Sequence, residues 1–423
     1  MRFDTLDQWL HWQAGLHPRA IDPGLERVGE VADRLGLRPV AMPVITVAGT
    51  NGKGSSVALL EAMFRAGGYS TGAYTSPHLL RYNERIRIDG DNASDAAIMA
   101  AFDAIDQARG EITLSYFEFG TLAALWLCRE SGVDVALLEV GLGGRLDAVN
   151  IVDADVALIT SIGLDHSEWL GPDRERIGRE KAGILRARVP GVFAGDAMPD
   201  TIRGMATELD APLRVADEDY TWHVGGDGSW SWQQGDAELH GLPQPALPGP
   251  MQYRNAAGVL AVLNAFGDRL PLREEALRDG LREARLPGRL HVRPGAVEWL
   301  FDVAHNGDAV GVLAAELERR PVPGRCFAVF AIMARKELTP VLDALAGRVD
   351  AWCPLLLPDE DIRPADDVET VLRERSAAVA VTGTPDTLRE WLDQTTEPGD
   401  RVLVFGSFRT VEEMMRVTGM ADG

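Results

Sequence analysis

The chain has 423 residues, 46% of them hydrophobic and 25% charged, and its formal net charge is −22. Such a length exceeds one ordinary hydrophobic core and predicts two domains. The acidic balance argues against sequence-independent binding to nucleic acid or to anionic membranes, so an anionic ligand must be met by locally placed cations and backbone N–H groups. Three scattered cysteines, Cys128, Cys326 and Cys353, lack C-x-x-C spacing. They argue against a disulfide framework or a zinc site and suit a reducing cytosol. The opening "MRFDTLDQWLHWQ" is acidic where a signal peptide is basic, and no apolar run reaches membrane-spanning length. The expectation is a cytoplasmic protein with neither a nucleic-acid nor a membrane partner.

The first strong element is "VITVAG" (Val44 to Gly49), a β-branched run that reads as a buried strand. "SSVALLEAMFRAGG" follows, with Val57, Leu60, Met63 and Phe64 at helical spacing and a double-glycine stop. Further buried strands are read in "VDVALLEVG" (Val133 to Gly141) and "DVALITSIG" (Asp155 to Gly163), with helical segments such as "FGTLAALWLCRES" between them. This alternation predicts an α/β domain built on a doubly wound, mainly parallel sheet. From about 215 to 242 the texture turns aromatic and glycine-rich, which predicts a β-rich excursion from the first domain. Helical patterns return in "YRNAAGVLAVLNAF" and "REEALRDGLREA", and "RLPGRLHVRPGA" (Arg285 to Ala296) has the composition of an inter-domain hinge. "VEWLFDVAHN", "RCFAVFAIM" and "RVLVFGSF" then predict strands of a smaller, Rossmann-like α/β domain. The predicted division is 1–286 and 287–423.

Between the first strand and its helix lies "GTNGKGSS", a phosphate loop of unusual spelling. A Walker A loop needs G-x-x-x-x-G-K followed at once by Ser or Thr. Here Gly49 lies three residues before Gly52, and Gly54 separates Lys53 from Ser55. The plain alternative is a tight turn with a chance lysine. The strand before and the helix after favour the functional reading, in which N–H groups at the helix N-terminus cradle phosphates and Lys53 reaches their outer oxygens. Ligands of open parallel sheets sit beyond the carboxyl ends of the strands. Ser76 ends the short run "STGAYTS", Glu139 ends its strand before a glycine-rich turn, and Asp165 and His166 follow theirs. If those strands are neighbours, Ser76, Glu139 and His166 meet on the edge that carries Lys53. That oxygen-rich set with one imidazole suits Mg²⁺. Singly, Ser76 only starts a turn and His166 is a loop histidine; jointly, at corresponding strand ends, the metal reading prevails. "REKAGILR" (Arg179 to Arg186) reads on chemistry alone as a solvated helical face, and Arg289, Asp302 and His305 are weak signals by themselves.

In the order found, "AGTNGKGS", "YTSPHLLRYNERIRI", "EVGLGGRLDAVNIVD", "TSIGLDHSEWLG", "REKAGILR", "LPGRL", "FDVAHN" and "VFGSFRTV" resemble the motifs of the bacterial folylpolyglutamate synthase/dihydrofolate synthase family, within the Mur ligase superfamily. The resemblance runs from "HPRAIDPGLERV" to "GSFRTV", nearly the whole chain. It implies a Mur-type ATP-binding domain followed by a glutamate-ligase domain, monomeric, using ATP and Mg²⁺ and admitting K⁺. The implied reaction phosphorylates a carboxylate with ATP, and the amine of L-glutamate then attacks the acyl phosphate in a cleft that closes against water.

The resemblance assigns Thr50, Asn51, Gly52, Lys53, Gly54 and Ser55 to ATP phosphates, and Asn255, Arg289 and Asp302 to further ATP contacts. Ser76, Glu139 and His166 match the family's Mg²⁺ ligands. Lys181 matches the lysine that carries a carbamate and so supplies anionic oxygen to a second Mg²⁺, which overturns the solvated-face reading of "REKAG". Lys53, Lys181 and His305 are the implied catalytic residues, His305 near the transferred phosphate. For dihydropteroate or folate, the resemblance points to Asp22, Pro23, Gly24 and Leu25 in a loop at about 15–30, with Ser115, Tyr116 and Phe117, and with Leu146, Asp147 and Ala148. An aromatic ring suits stacking on a flat pterin. The plain alternatives are a core aromatic for Phe117 and a helix N-cap for Asp22. Three departures from the family pattern stand out: Pro23, Gly307 after "HN", and "QYRN" before Ala256.

Two further readings compete with the bifunctional folate ligase among the enzymes: chain extension of folates alone, and a cell-wall Mur ligase. The latter is disfavoured because no UDP-binding domain is recognised ahead of the phosphate loop. A nucleotide-sensing switch is the alternative from another class, and the second-domain motifs "GRLHVRPG" and "FDVAHN" disfavour it.

Overall fold

The computed structural model describes residues 1–19 and 22–420. The chain separates into two compact units. The first comprises Met1–Leu247 with Gln252–Arg285, and the second comprises Pro248–Met251 with the chain from Leu286 on.

The strands of the first unit's main sheet are β1 (Val44–Ala48), β2 (Thr71–Tyr74), β3 (Ile86–Ile88), β4 (Asp91–Asn92), β5 (Val135–Glu139), β6 (Val156–Ile159), β7 (Gly191–Phe193) and β8 (Leu213–Val215). Their spatial order is β4-β3-β2-β5-β1-β6-β7-β8. From β2 to β8 every neighbouring pair is parallel, while β3 and β4 close one edge as antiparallel strands. β1 and β5 are buried along their whole length, as expected of parallel strands covered on both faces. The chain fills one side of β1 through β5 and then crosses to β6 on the other side. The carboxyl ends of β5, β1 and β6 therefore frame a switch point, the place where open α/β sheets bind ligands.

One core cluster runs from Leu6 and Trp9 in the helix Leu6–Ala14 to Phe193 and Val215, while Ile45, Val47, Leu60 and Phe64 are buried outside it. Trp9, Phe102 and Phe119 meet there in tilted and edge-on contacts. The helix Leu6–Ala14 has a Thr5/Gln8 capping box.

The β-rich excursion is a three-stranded antiparallel sheet of β9 (Thr221–Val224), β10 (Trp230–Gln234) and β11 (Ala237–Leu242). Its first predicted residue, Val215, belongs instead to β8. Two indoles anchor it: Trp230 Nε1 donates to Pro243 O at 2.8 Å, and Trp232 Nε1 to Ala257 O at 3.1 Å. The second bond ties the small sheet to the helix Met251–Phe266, which carries Asn255.

The second unit has β12 (His291–Arg293), β13 (Glu298–Asp302), β14 (Cys326–Phe330), β15 (Ala351–Pro354) and β16 (Arg401–Phe405), in the order β12-β13-β16-β14-β15. All pairs are parallel except β12 with β13. The segment read as a hinge is thus partly an edge strand: "HVR" pairs with Phe301, Leu300 and Trp299. All three cysteines are buried and free. Among the described residues, no helix is long and apolar enough to cross a membrane.

Candidate active site

β1 ends at Ala48, and Gly49 follows with φ +152°. A Cβ on Gly49 would lie 1.8 Å from Thr160 Oγ1, so the loop can press against the end of β6 only with glycine there. The contact is stitched by hydrogen bonds. Thr50 N donates to Ser161 O at 2.9 Å, Asn51 N to Ser161 Oγ at 3.0 Å, and Thr160 Oγ1 to Asn51 O at 2.7 Å. The main-chain N–H groups of Thr50 and Asn51 are therefore committed to holding the loop. Gly52 takes φ +90° and caps the helix Lys53–Ala66, whose first N–H groups, from Lys53 to Ser55, have no partner within the helix. These donors and the helix dipole favour negative charge at this end of the helix.

Two lysines converge on one carbonyl. Lys53 Nζ donates to Gly49 O at 3.0 Å, and Lys181 Nζ donates to the same oxygen at 2.9 Å. Lys181 is 4% exposed. Burial, with the neighbouring charge of Lys53, pulls its pKa down to about 7, against the partial restraint of Asp165 and Asp147. A buried amine that is neutral for much of the time near pH 7 is a competent nucleophile toward carbon dioxide, which an ordinary lysine is not. The solvated-face reading of "REKAG" fails for Lys181.

Lys181 is held by the glycine-rich turn after β5. Arg145 N donates to Glu180 O at 2.8 Å, and Asn150 Nδ2 donates to Gly183 O at 3.0 Å. Asp147 organises that turn from within, accepting from Leu142 N at 2.8 Å and Val149 N at 3.0 Å. Burial pushes its pKa up to about 6 despite those donors. Asp147, assigned from the resemblance to the pterin pocket with Leu146 and Ala148, thus spends its carboxylate on the main chain, and Ala148 opens the short 3₁₀ turn Ala148–Ile151 that it caps.

Glu139 is the last residue of β5, is buried, and pairs in register with Val47 of β1. Its Oε2 accepts from Ser76 N at 3.2 Å, so Ser76 and Glu139 are brought together beside the phosphate loop. His166 lies in the loop after β6, with φ +51° and its Nε2 3.9 Å from Asp165 Oδ2. A buried carboxylate beside a serine fits a hard divalent cation; His166 follows β6, with β1 lying between that strand and β5. Among the described residues no three His, Cys, Asp or Glu side chains cluster as a metal site, so such a cation would need the Ser76 hydroxyl and carbamate oxygens on Lys181.

The helix Met251–Phe266 adds Asn255, whose Nδ2 donates to Gln252 Oε1 at 2.9 Å; Gln252 Nε2 donates to Ser55 Oγ at 3.4 Å. Asn255 Oδ1 lies 2.6 Å from where a Cβ on Gly52 would be. Gln252 carried no functional reading; its buried amide joins the phosphate loop to Asn255 only through the fold.

The helix Tyr116–Ser131 opens with a capping box between Ser115 and Glu118, which directs the side chains of its first turn. Phe117 lies across Gly141, where a Cβ would come within 2.6 Å of the ring, and contacts Tyr74. Tyr116 meets Tyr82 edge-on. Both rings are half-buried, so Phe117 is not a plain core aromatic. Asp22 does not cap the helix Glu26–Arg34, whose N-cap is Leu25; its carboxylate instead accepts from His17, Arg19 and Arg27. Pro23 and Gly24 lie between Asp22 and Leu25, and Ala20 and Ile21 of the expected loop lie outside the described residues.

In the second unit, Asp302 ends β13 and accepts from Leu290 N at 2.8 Å and Ala304 N at 2.7 Å. Burial raises its pKa, with the Arg289 guanidinium opposing. Arg289 also lies over the Phe408 ring at 5.4 Å. His305 Nδ1 is 2.8 Å from Val303 O, which assigns the proton to Nδ1 and leaves Nε2 as the basic nitrogen. Gly307 opens the helix Gly307–Arg319 behind the Asn306 cap.

These two units define a class. The model of the Mur ligase glutamate ligase domain matches residues 288–408. The dihydrofolate synthase/folylpolyglutamate synthase of Escherichia coli is 44% identical over 422 residues, covering 97% of this chain and 95% of that protein. The structure of E. coli FolC in complex with DHPP and ADP matches with a TM-score of 0.93 and 42% identity over 99% of both chains. A bifunctional folylpolyglutamate synthase/dihydrofolate synthase with Mn, AMPPNP and L-glutamate bound matches with a TM-score of 0.90 and 43% identity over 98% of both chains. The chain belongs to the dihydrofolate synthase/folylpolyglutamate synthase family.

Proposed function

We propose that the protein is an ATP-dependent ligase that adds L-glutamate to 7,8-dihydropteroate, forming dihydrofolate, and adds further glutamates to reduced folates. The observation that carries the reading is the convergence of Lys53 and Lys181 on the Gly49 carbonyl, beside Glu139 and at the sheet's switch point.

A carboxylate does not acylate an amine at neutral pH until one of its oxygens becomes a leaving group. In the proposed reaction a carboxylate oxygen of the acceptor attacks the γ-phosphorus of ATP, giving an acyl phosphate and ADP. The glutamate amine then adds to the acyl carbon, loses a proton, and inorganic phosphate departs as the amide forms. Lys53 and the N–H groups from Gly52 to Ser55 hold the phosphates and meet the charge that develops on them. Thr50 and Asn51 are assigned to shaping that cradle, and Asn255, Arg289 and Asp302 to further nucleotide contacts. His305 is assigned to the transferred phosphate, with Nε2 as its proton-accepting atom.

Mg²⁺ is the proposed metal, held by Ser76, Glu139, His166 and carbamylated Lys181, and it would supply charge neutralisation at the phosphates. Asp22–Leu25, Ser115–Phe117 and Leu146–Ala148 are assigned to the pteroate or folate, with Phe117 as the stacking ring. A cytoplasmic monomer is the proposed working form.

The test supplies ATP, Mg²⁺ and L-glutamate with dihydropteroate, with a reduced folate, or with no acceptor. ADP release that depends on both acceptors is expected. Release with neither would overturn the ligase reading, and release with folate alone would reduce it to chain extension.

A further inference from the structure

Arg27 stands outside every role assigned so far, yet its guanidinium joins two parts of the proposed acceptor pocket. It lies in the first turn of the helix Glu26–Arg34. Its Nη1 donates to Asp22 Oδ2 at 2.5 Å, and its Nη2 donates to Asp22 O at 3.1 Å and to the Glu118 carboxylate at 3.2 and 3.4 Å. Glu118 is 3% exposed and is the capping-box residue of the helix that carries Tyr116 and Phe117; its Oε2 accepts from Ser115 N at 2.7 Å. One planar cation thus spans a loop carboxylate, a loop carbonyl and a buried carboxylate at the root of the aromatic pocket. His17 adds a second strap, with Nε2 3.1 Å from Asp22 Oδ2 and Nδ1 2.8 Å from Thr113 Oγ1.

We infer that Arg27 is a positioning residue for the acceptor: it fixes the loop at Asp22 against the helix start at Ser115–Phe117, and so sets the width of the slot that takes a flat heteroaromatic acid. The inference rests on the assignment of Asp22 and Ser115–Phe117 to the acceptor. Its physical basis is the fork geometry of arginine. A guanidinium serves two carboxylates through separate nitrogens, whereas an ammonium on a flexible stem cannot reproduce that planar, two-sided contact. Without Arg27 the Glu118 charge is left buried and unpaired, and Asp22 is tied towards the helix start only through His17 and Thr113.

The test separates positioning from folding. Arg27→Met alone strands the Glu118 charge, so it is paired with Glu118→Gln, which can still accept from Ser115 N and removes that charge. The R27M/E118Q protein is expected to keep the melting temperature and the KM for ATP of the parent, while its KM for dihydropteroate rises by about tenfold or more, the loss expected when charge-assisted positioning bonds are removed. Arg27→Lys is expected to recover only part of that loss. A double variant with the parental KM for dihydropteroate would overturn the inference, as would full recovery by Arg27→Lys. Failure of the unmodified protein to release ADP with dihydropteroate would instead overturn the acceptor assignment on which it rests.

Discussion

Gly49 shows how closely single positions are constrained here: its carbonyl accepts from two lysine side chains, and its missing side chain makes room for Thr160. Gly49→Ala is expected to destabilise the protein by about 2 kcal/mol, because the new methyl has no vacant space, and to abolish turnover; urea unfolding with an ADP-release assay checks both. Lys53→Ala is expected to lower kcat/KM for ATP by about a hundredfold or more, the scale on which preorganised cations act on transferring phosphates. Lys181 gives a pH-dependent prediction. Its folded pKa of about 7 lies far below its ordinary value of 10.5. Between those values the unfolded chain holds a proton that the folded chain has released, so stability rises with pH through this window. In carbonate-free buffer, the melting temperature of the parent should gain on that of Lys181→Met between pH about 7 and about 9. Parallel curves would contradict the depressed pKa.

At the scale of elements, the helix Met251–Phe266 matters more than its sequence suggests. Its N-terminal end carries Gln252 and Asn255, which reach Ser55 and Gly52, while Trp232 holds its middle from the small antiparallel sheet. The aromatic excursion is thus a buttress for a residue proposed to bind nucleotide. Gln252→Leu keeps the volume and removes both amide bonds. The KM for ATP is expected to rise about threefold to tenfold with the KM for the acceptor unchanged, as suits the loss of modest hydrogen bonds that orient a binding group. Equal changes in both constants would point to general loosening instead. The parallel strands were legible because strands covered on both faces read as continuous apolar runs: "VITVA", "VALLE" and "VALI" fall inside the stretches read as strands. β12 was not, since three residues at a sheet edge beside Pro and Gly carry the composition of a hinge.

For the whole molecule, a net charge of −22 means long-range self-repulsion that local ion pairs do not cancel. Raising NaCl from about 0.05 to about 0.5 M shortens the screening length severalfold and is expected to raise the melting temperature. A fall would show that surface pairs such as Arg203–Glu218 and Arg34–Glu30 outweigh the repulsion. The same acidity makes the proposed phosphate site depend on its own geometry, with Lys53 and Lys181 meeting at one carbonyl.

The sequence by itself determined the class of fold and located the glycine-rich turn after β1 and the end of β5 at Glu139, because periodicity and turn chemistry are local. It also carried the family resemblance, since that lies in the order of short motifs. Whether those strand ends adjoin was decided only by the tertiary structure, which sets β2, β5, β1 and β6 side by side. Folding alone also buried Lys181, gave Asp147 to its own turn, and brought Arg27 to Glu118 and Gln252 to Ser55. Burial and long-range contact fix a side chain's charge state and partners, and neither is written in the residues next to it.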